Sequence, residues 1–86
     1  MNREAMREPM ARAIWEAVHP ARPWERRYGT VGLWQTAERF LAILDTAHED
    51  LELVSQQVLH DARVSNPLSS AARLVDSGIF DTVRGL

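Results

Sequence analysis

A chain of 86 residues makes one domain, and at that length it buries only about 60% of the surface its unfolded form exposes, so its core is thin. A hydrophobic share of 45% against 26% charged residues excludes a disordered chain, and a net charge of −2 gives no global attraction to nucleic acid. The absence of cysteine excludes a disulfide framework and any thiolate metal site, and it fits a reducing cytoplasm.

All ten basic residues are arginine, which reads mainly as coding bias in a GC-rich bacterial genome. Residues 1 to 44 hold seven arginines and five acids, whereas residues 45 to 86 hold three and seven. The span from Asp45 to Asp61 carries five acids and no arginine, an asymmetry that suits internal pairing or a partner of opposite sign. The first ten residues, MNREAMREPM, contain no apolar core of a secretory signal. No apolar run approaches the roughly 20 residues needed to span a bilayer, so no membrane partner is expected.

The first helix is predicted from about Glu8 to Val18, with a frayed extra turn over residues 1 to 7 as the alternative. Met6, Met10, Ala13, Ile14 and Ala17 share one stripe at spacings of three and four. Pro9 fits the first helical position and Pro20 stops the helix. Residues 19 to 29 form a connector rich in arginine and aromatics. Thr30 is a fair N-cap for a second helix, predicted from Val31 to about Ala62. Ala37, Leu41, Leu44, His48, Leu51, Ser55, Val58 and Ala62 alternate at spacings of four and three along it. Such a helix would be about 45 Å long at 1.5 Å per residue, with a break between Ala47 and Asp50 as the alternative. The third helix is predicted over residues 67–77, opened by Asn66 and Pro67 and closed by Gly78. The tail FDTVRGL is too short to assign.

Two short helices cannot cover a 30-residue apolar stripe. Its uncovered part, around Leu44, Leu51, Val54 and Val58, predicts an antiparallel helical homodimer that sets Arg39 of one chain near the acidic span of the other. The fold class is therefore all-α, a single helical domain over 1–86 with three helices and a long central one.

Three constellations could carry chemistry. Asp45, His48 and Glu52, with Glu49 beside them, resemble the carboxylate-x-x-His spacing of metal sites in helical bundles, but the motif occurs once and reads better as a solvated face. Ser55, Ser65, Ser69, Ser70 and Ser77 have His60 and Asp61 in the same chain, yet no strand-to-helix elbow presents a nucleophile. Ser69 to Leu86 looks loosely like a helix-turn-helix unit with Arg73 and Arg84, although the turn is out of register and Asp76 and Asp81 would face phosphates.

The connector is the remaining candidate. Arg22, Trp24, Arg26, Arg27 and Tyr28 are residue types concentrated at interface hot spots. Trp24 or Tyr28 is expected to be mostly buried, with Arg26 and Arg27 exposed and directed away from the first helix; the structural alternative folds Trp24 and Tyr28 back over the first two helices and pairs the arginines with the acidic span. The leading expectation is a small non-enzymatic interaction or adaptor module without a cofactor, bound to a protein partner or to itself. A small DNA-binding regulator is the alternative, and a metal-binding or enzyme subunit the third.

Overall fold

The computed structural model describes residues 3–29, 31–46 and 50–84. Among these, five α-helices and one 3-10 turn occur and no strand: α1 Arg3–Val18, the 3-10 turn Arg26–Tyr28, α2 Val31–Thr46, α3 Leu51–Asp61, α4 Pro67–Asp76 and α5 Ile79–Arg84. No described helix is long and apolar enough to cross a membrane.

The all-α class holds, and the three-helix arrangement does not. The predicted second helix is two helices, α2 and α3. Its break has a local cause at Asp50, whose backbone is extended (φ −60°, ψ 106°) and whose carboxylate accepts the amides of Glu52 and Leu53 at 3.0 and 3.3 Å. An aspartate that satisfies the orphan donors of a new first turn starts a helix. Size gives a second cause. The molecule measures 29 × 25 × 20 Å, so a straight helix of about 45 Å would overrun its longest axis.

Breaking the stripe folds it onto itself. Leu44 before the break and Val58 after it are both buried in one core, with Leu51 and Val54 half-buried against it. Two of the four residues that predict the homodimer face, Leu44 and Val58, are thus buried within the chain, while Leu51 and Val54 stay partly exposed. Arg39 likewise meets the acidic span intramolecularly, its guanidinium lying 3.0 Å from Asp61.

Helix α1 begins at Arg3, earlier than a first helical position at Pro9 suggests, with Pro9 inside it. Proline cannot donate to the preceding turn. Met6 is nevertheless buried beside Met10 and Ile14, and that apolar burial holds the turn N-terminal to the proline. The expected stripe of α1 is otherwise in place, with Ala13 half-buried at its margin.

α1 packs chiefly on α2, and α3 on α4, with α1 also crossing α4. No basic residue occupies the last turn of α1. Arg73 of α4 supplies one, its Nε donating to the Ala17 carbonyl at 2.6 Å. A cation at a helix C-terminus satisfies a free carbonyl and opposes the negative end of the dipole. α5 was not assigned from sequence. It closes the core through Ile79, Phe80 and Val83, and the Phe80 ring lies 5.8 Å from that of Phe40.

Candidate functional site

The connector is a platform of aromatic rings with arginines on its surface. Arg22 donates its amide to the His19 carbonyl at 3.0 Å, and the Trp15 indole donates to the Arg22 carbonyl at 3.2 Å. These bonds fold the chain back over the end of α1. Tyr28 then stacks on Trp15, with centroids 4.5 Å apart and planes 15° apart, while His19 lies on Trp15 at 4.4 Å. Trp24 meets Trp15 edge-on at 6.5 Å and Trp34 at 6.2 Å. Offset and edge-to-face contacts of this kind add to the stability from area burial alone. Gly29 is required at its position because a Cβ there would enter the Trp34 ring.

Trp24 and Tyr28 are therefore half-buried, because each ring keeps one face on the cluster and an edge in water. Arg26 and Arg27 are 84% and 75% exposed at the side chain, in line with their expected accessibility. For Arg26 the direction corrects the sequence reading. Arg26 reaches back to Glu8 on α1 at 3.4 Å, whereas Arg27 pairs with Glu25 within the connector at 2.8 Å, and neither joins the acidic span. Arg27 also lies over the Tyr28 ring at 5.3 Å. Hydrogen bonding to Tyr28, and then to Arg27, holds the Glu25 carboxyl below its usual pKa.

Beside this platform opens a cleft of about 590 Å³, bounded by the end of α1, the 3-10 turn, α2 and the end of α3. Ile14, Leu33, Val58 and Leu59 give it an apolar floor, and Trp15 and Tyr28 form one wall. Gln35, Thr36, Arg39 and Asp61 supply polar and charged groups to its lining. Arg39 and Asp61 neutralise each other there, and Gln57 donates to the same carboxylate at 3.0 Å. The Arg39 bond, and then that of Gln57, holds the Asp61 carboxyl below its usual value.

Of the five connector residues read from sequence, only Tyr28 lines the cleft. Sequence reasoning missed Trp15, Leu33, Arg39 and Asp61 as members of one site. No local signal joins them, because they come from three segments and meet only through packing.

The other constellations are dispersed. His48 and Glu49, and the side chain of Asp45, lie outside the described residues; Glu52 is exposed in the first turn of α3, on a different helix from Asp45. Among the described residues no three His, Cys, Asp or Glu side chains come close enough to hold a metal. Ser55, Ser69 and Ser77 spend their hydroxyls on local carbonyls, and His60 Nδ1 stands 3.8 Å from Asp61, beyond hydrogen-bond reach.

No protein-family model matches the chain, and no curated protein or solved structure does either.

Proposed function

We propose that this chain is a protein–protein interaction module that takes part of a partner into the cleft beside the aromatic platform. What supports this is the make-up of the cleft. Its volume, about 590 Å³, suits side chains of a partner more than a flat contact would, and its rim combines Trp15, Tyr28 and Arg39. Tryptophan, tyrosine and arginine dominate binding energy at interfaces because each offers a large apolar body with a polar handle. The charged lining groups, Arg39 and Asp61, are engaged with each other. That arrangement favours positioning over acid–base work, for which a group needs a proton it can exchange near neutral pH.

A regulator reading draws less support. The short helix that would enter a DNA groove, α5, turns Ile79, Phe80 and Val83 into the core and leaves Asp81 and Thr82 outside. Self-association remains a second reading on one observation. Leu53 is 63% exposed between the half-buried Leu51 and Val54, which is a small apolar patch at the start of α3.

The test is site-specific photocrosslinking in cells of the native host. A benzophenone amino acid replaces Gln35, an exposed residue on the cleft wall, or Glu52, which lies elsewhere. A discrete crosslinked protein from position 35 and none from position 52 is the expected result. Equal recovery from both positions, or none from position 35, would sink the proposal.

A further inference from the structure

α3 ends in a turn that only a left-handed residue can complete. The Val64 amide donates to the Leu59 carbonyl and the Arg63 amide to the His60 carbonyl, each at 3.0 Å. This paired 6→1 and 5→2 closure places Arg63 at φ 63°, the one described non-glycine residue with positive φ. At the end of α4 the corresponding left-handed residue is Gly78, at φ 79°. Glycine adopts that conformation without penalty, whereas a side chain with a Cβ costs about 1–2 kcal/mol there. The closure of α3 explains the left-handed backbone but not the choice of arginine over glycine there, and strain of this kind clusters at functional sites.

The Arg63 side chain has no structural task to explain it. Its backbone, not its guanidinium, closes the helix, and the side chain is exposed. Arg7, Arg12, Arg26, Arg27 and Arg39 each have a carboxylate partner and Arg73 a carbonyl; Arg63 and Arg22 have neither. Neither lines the cleft itself, but both are joined through the backbone to residues that do. Arg63 lies between the lining residues Ala62 and Val64, and Arg22 is hydrogen-bonded through its backbone to the lining residues Trp15 and His19. The pairs Arg39–Asp61 and Arg27–Glu25 cancel within themselves. The uncompensated charge on the backbone next to the lining residues is therefore positive, on a chain whose net charge is −2.

We propose that the cleft docks an acidic amphipathic segment of a partner protein, with one apolar side chain between the Trp15–Tyr28 wall and the Val58–Leu59 floor and a flanking carboxylate on Arg63. This rests on the interaction reading above and adds the chemistry of the occupant. Apolar burial supplies the affinity, and the arginine fixes the register by a charge-assisted, bidentate contact. Arg22 serves a second carboxylate on the same segment.

The experiment is selection of a random dodecapeptide library on the intact chain, followed by fluorescence anisotropy with the enriched peptide. Enriched sequences should carry Trp, Phe or Leu flanked by Asp or Glu. Their affinity should fall with added salt, and Arg63→Glu should weaken it by about tenfold or more. Arg63→Gly guards against a folding artefact: it relieves the strained φ, so its melting temperature should hold or rise while peptide affinity still drops.

The proposal is overturned by no enriched peptide, by enriched peptides without acids, or by binding unmoved by Arg63→Gly. Phenylacetate bound as tightly as the peptide would do the same, since it assigns the site to a small molecule. Neutral or basic peptides that still shift the Trp15 indole and Val64 methyl resonances would overturn this inference and leave the interaction reading standing. Enriched peptides that leave those resonances unmoved would remove both.

Discussion

Gly29 and Trp34 approach so closely that no side chain can stand between them, and the position of the Trp34 ring in turn sets that of Trp24. Gly29→Ala should therefore displace Trp34 and cost about 1–3 kcal/mol, as overpacking does. Urea unfolding followed by tryptophan fluorescence would measure it. A cost under about 0.5 kcal/mol, the range of an ordinary surface change, would mean that the aromatic cluster is looser than its geometry indicates. Trp24→Ala should also lower stability, by roughly 2 kcal/mol, since the ring is half-buried and sites of full burial lose about 3 or more. The doubly charge-reversed Arg26→Glu/Arg27→Glu should melt almost as the parent does, because each arginine is largely in water and such surface pairs contribute about 0–1 kcal/mol. Collapse of the fold in that variant would make the pairs with Glu8 and Glu25 part of the framework.

At the scale of helices, two contacts among the described residues act on α3 where it follows α2. Asp50→Ala removes the cap of α3 and should cost about 1 kcal/mol. The amides of Glu52 and Leu53 should then exchange faster with solvent, while those of α4 keep their protection. Uniform protection in the variant would show that packing alone starts α3. The second contact, Arg39 to Asp61, ties the end of α3 to α2. Asp61 has a folded pKa depressed below its ordinary 3.8 by its bonds to Arg39 and Gln57. Its contribution is therefore present above that ordinary value and is lost as pH falls through the depressed folded one. Stability measured against pH should show the parent above Asp61→Asn near neutrality, with the two curves converging in acid. Curves that stay parallel down to the acid limit would assign the difference to something other than this carboxylate.

For the whole molecule, the thin core is used up internally. Residues from all five helices bury one another, including the Leu44 and Val58 that an exposed long helix would have offered to a second chain. Light scattering after size exclusion should accordingly give a mass near 9.8 kDa at micromolar concentration. A mass twice that would point to the exposed leucines, Leu53 of α3 with Leu51 and Val54 beside it or Leu68 of α4, as the self-association surface. Arg73 acts at this scale too: its bond to Ala17 links helices 56 residues apart in sequence. One side chain thereby closes α1 and fixes how α4 crosses it.

The residues of this chain determined by themselves whatever depends on neighbours a few positions away. The apolar stripe of α1, the Asn66–Pro67 opening of α4 and the Gly78 turn were legible because periodicity, caps and φ restrictions act locally. Even there, Asn66 caps through its backbone carbonyl to Ser70 and not through its side chain. The break at Asp50 was only half legible: the cap is a local signal, but Leu44, Leu51 and Val58 keep helical spacing across it and so mask it. Tertiary structure alone decided that the stripe folds back, that Tyr28 lies on Trp15, and that Arg39 meets Asp61 across a cleft. Those outcomes depend on which distant surfaces bury the most apolar area within 86 residues, a competition among whole arrangements to which no short stretch of sequence is privy.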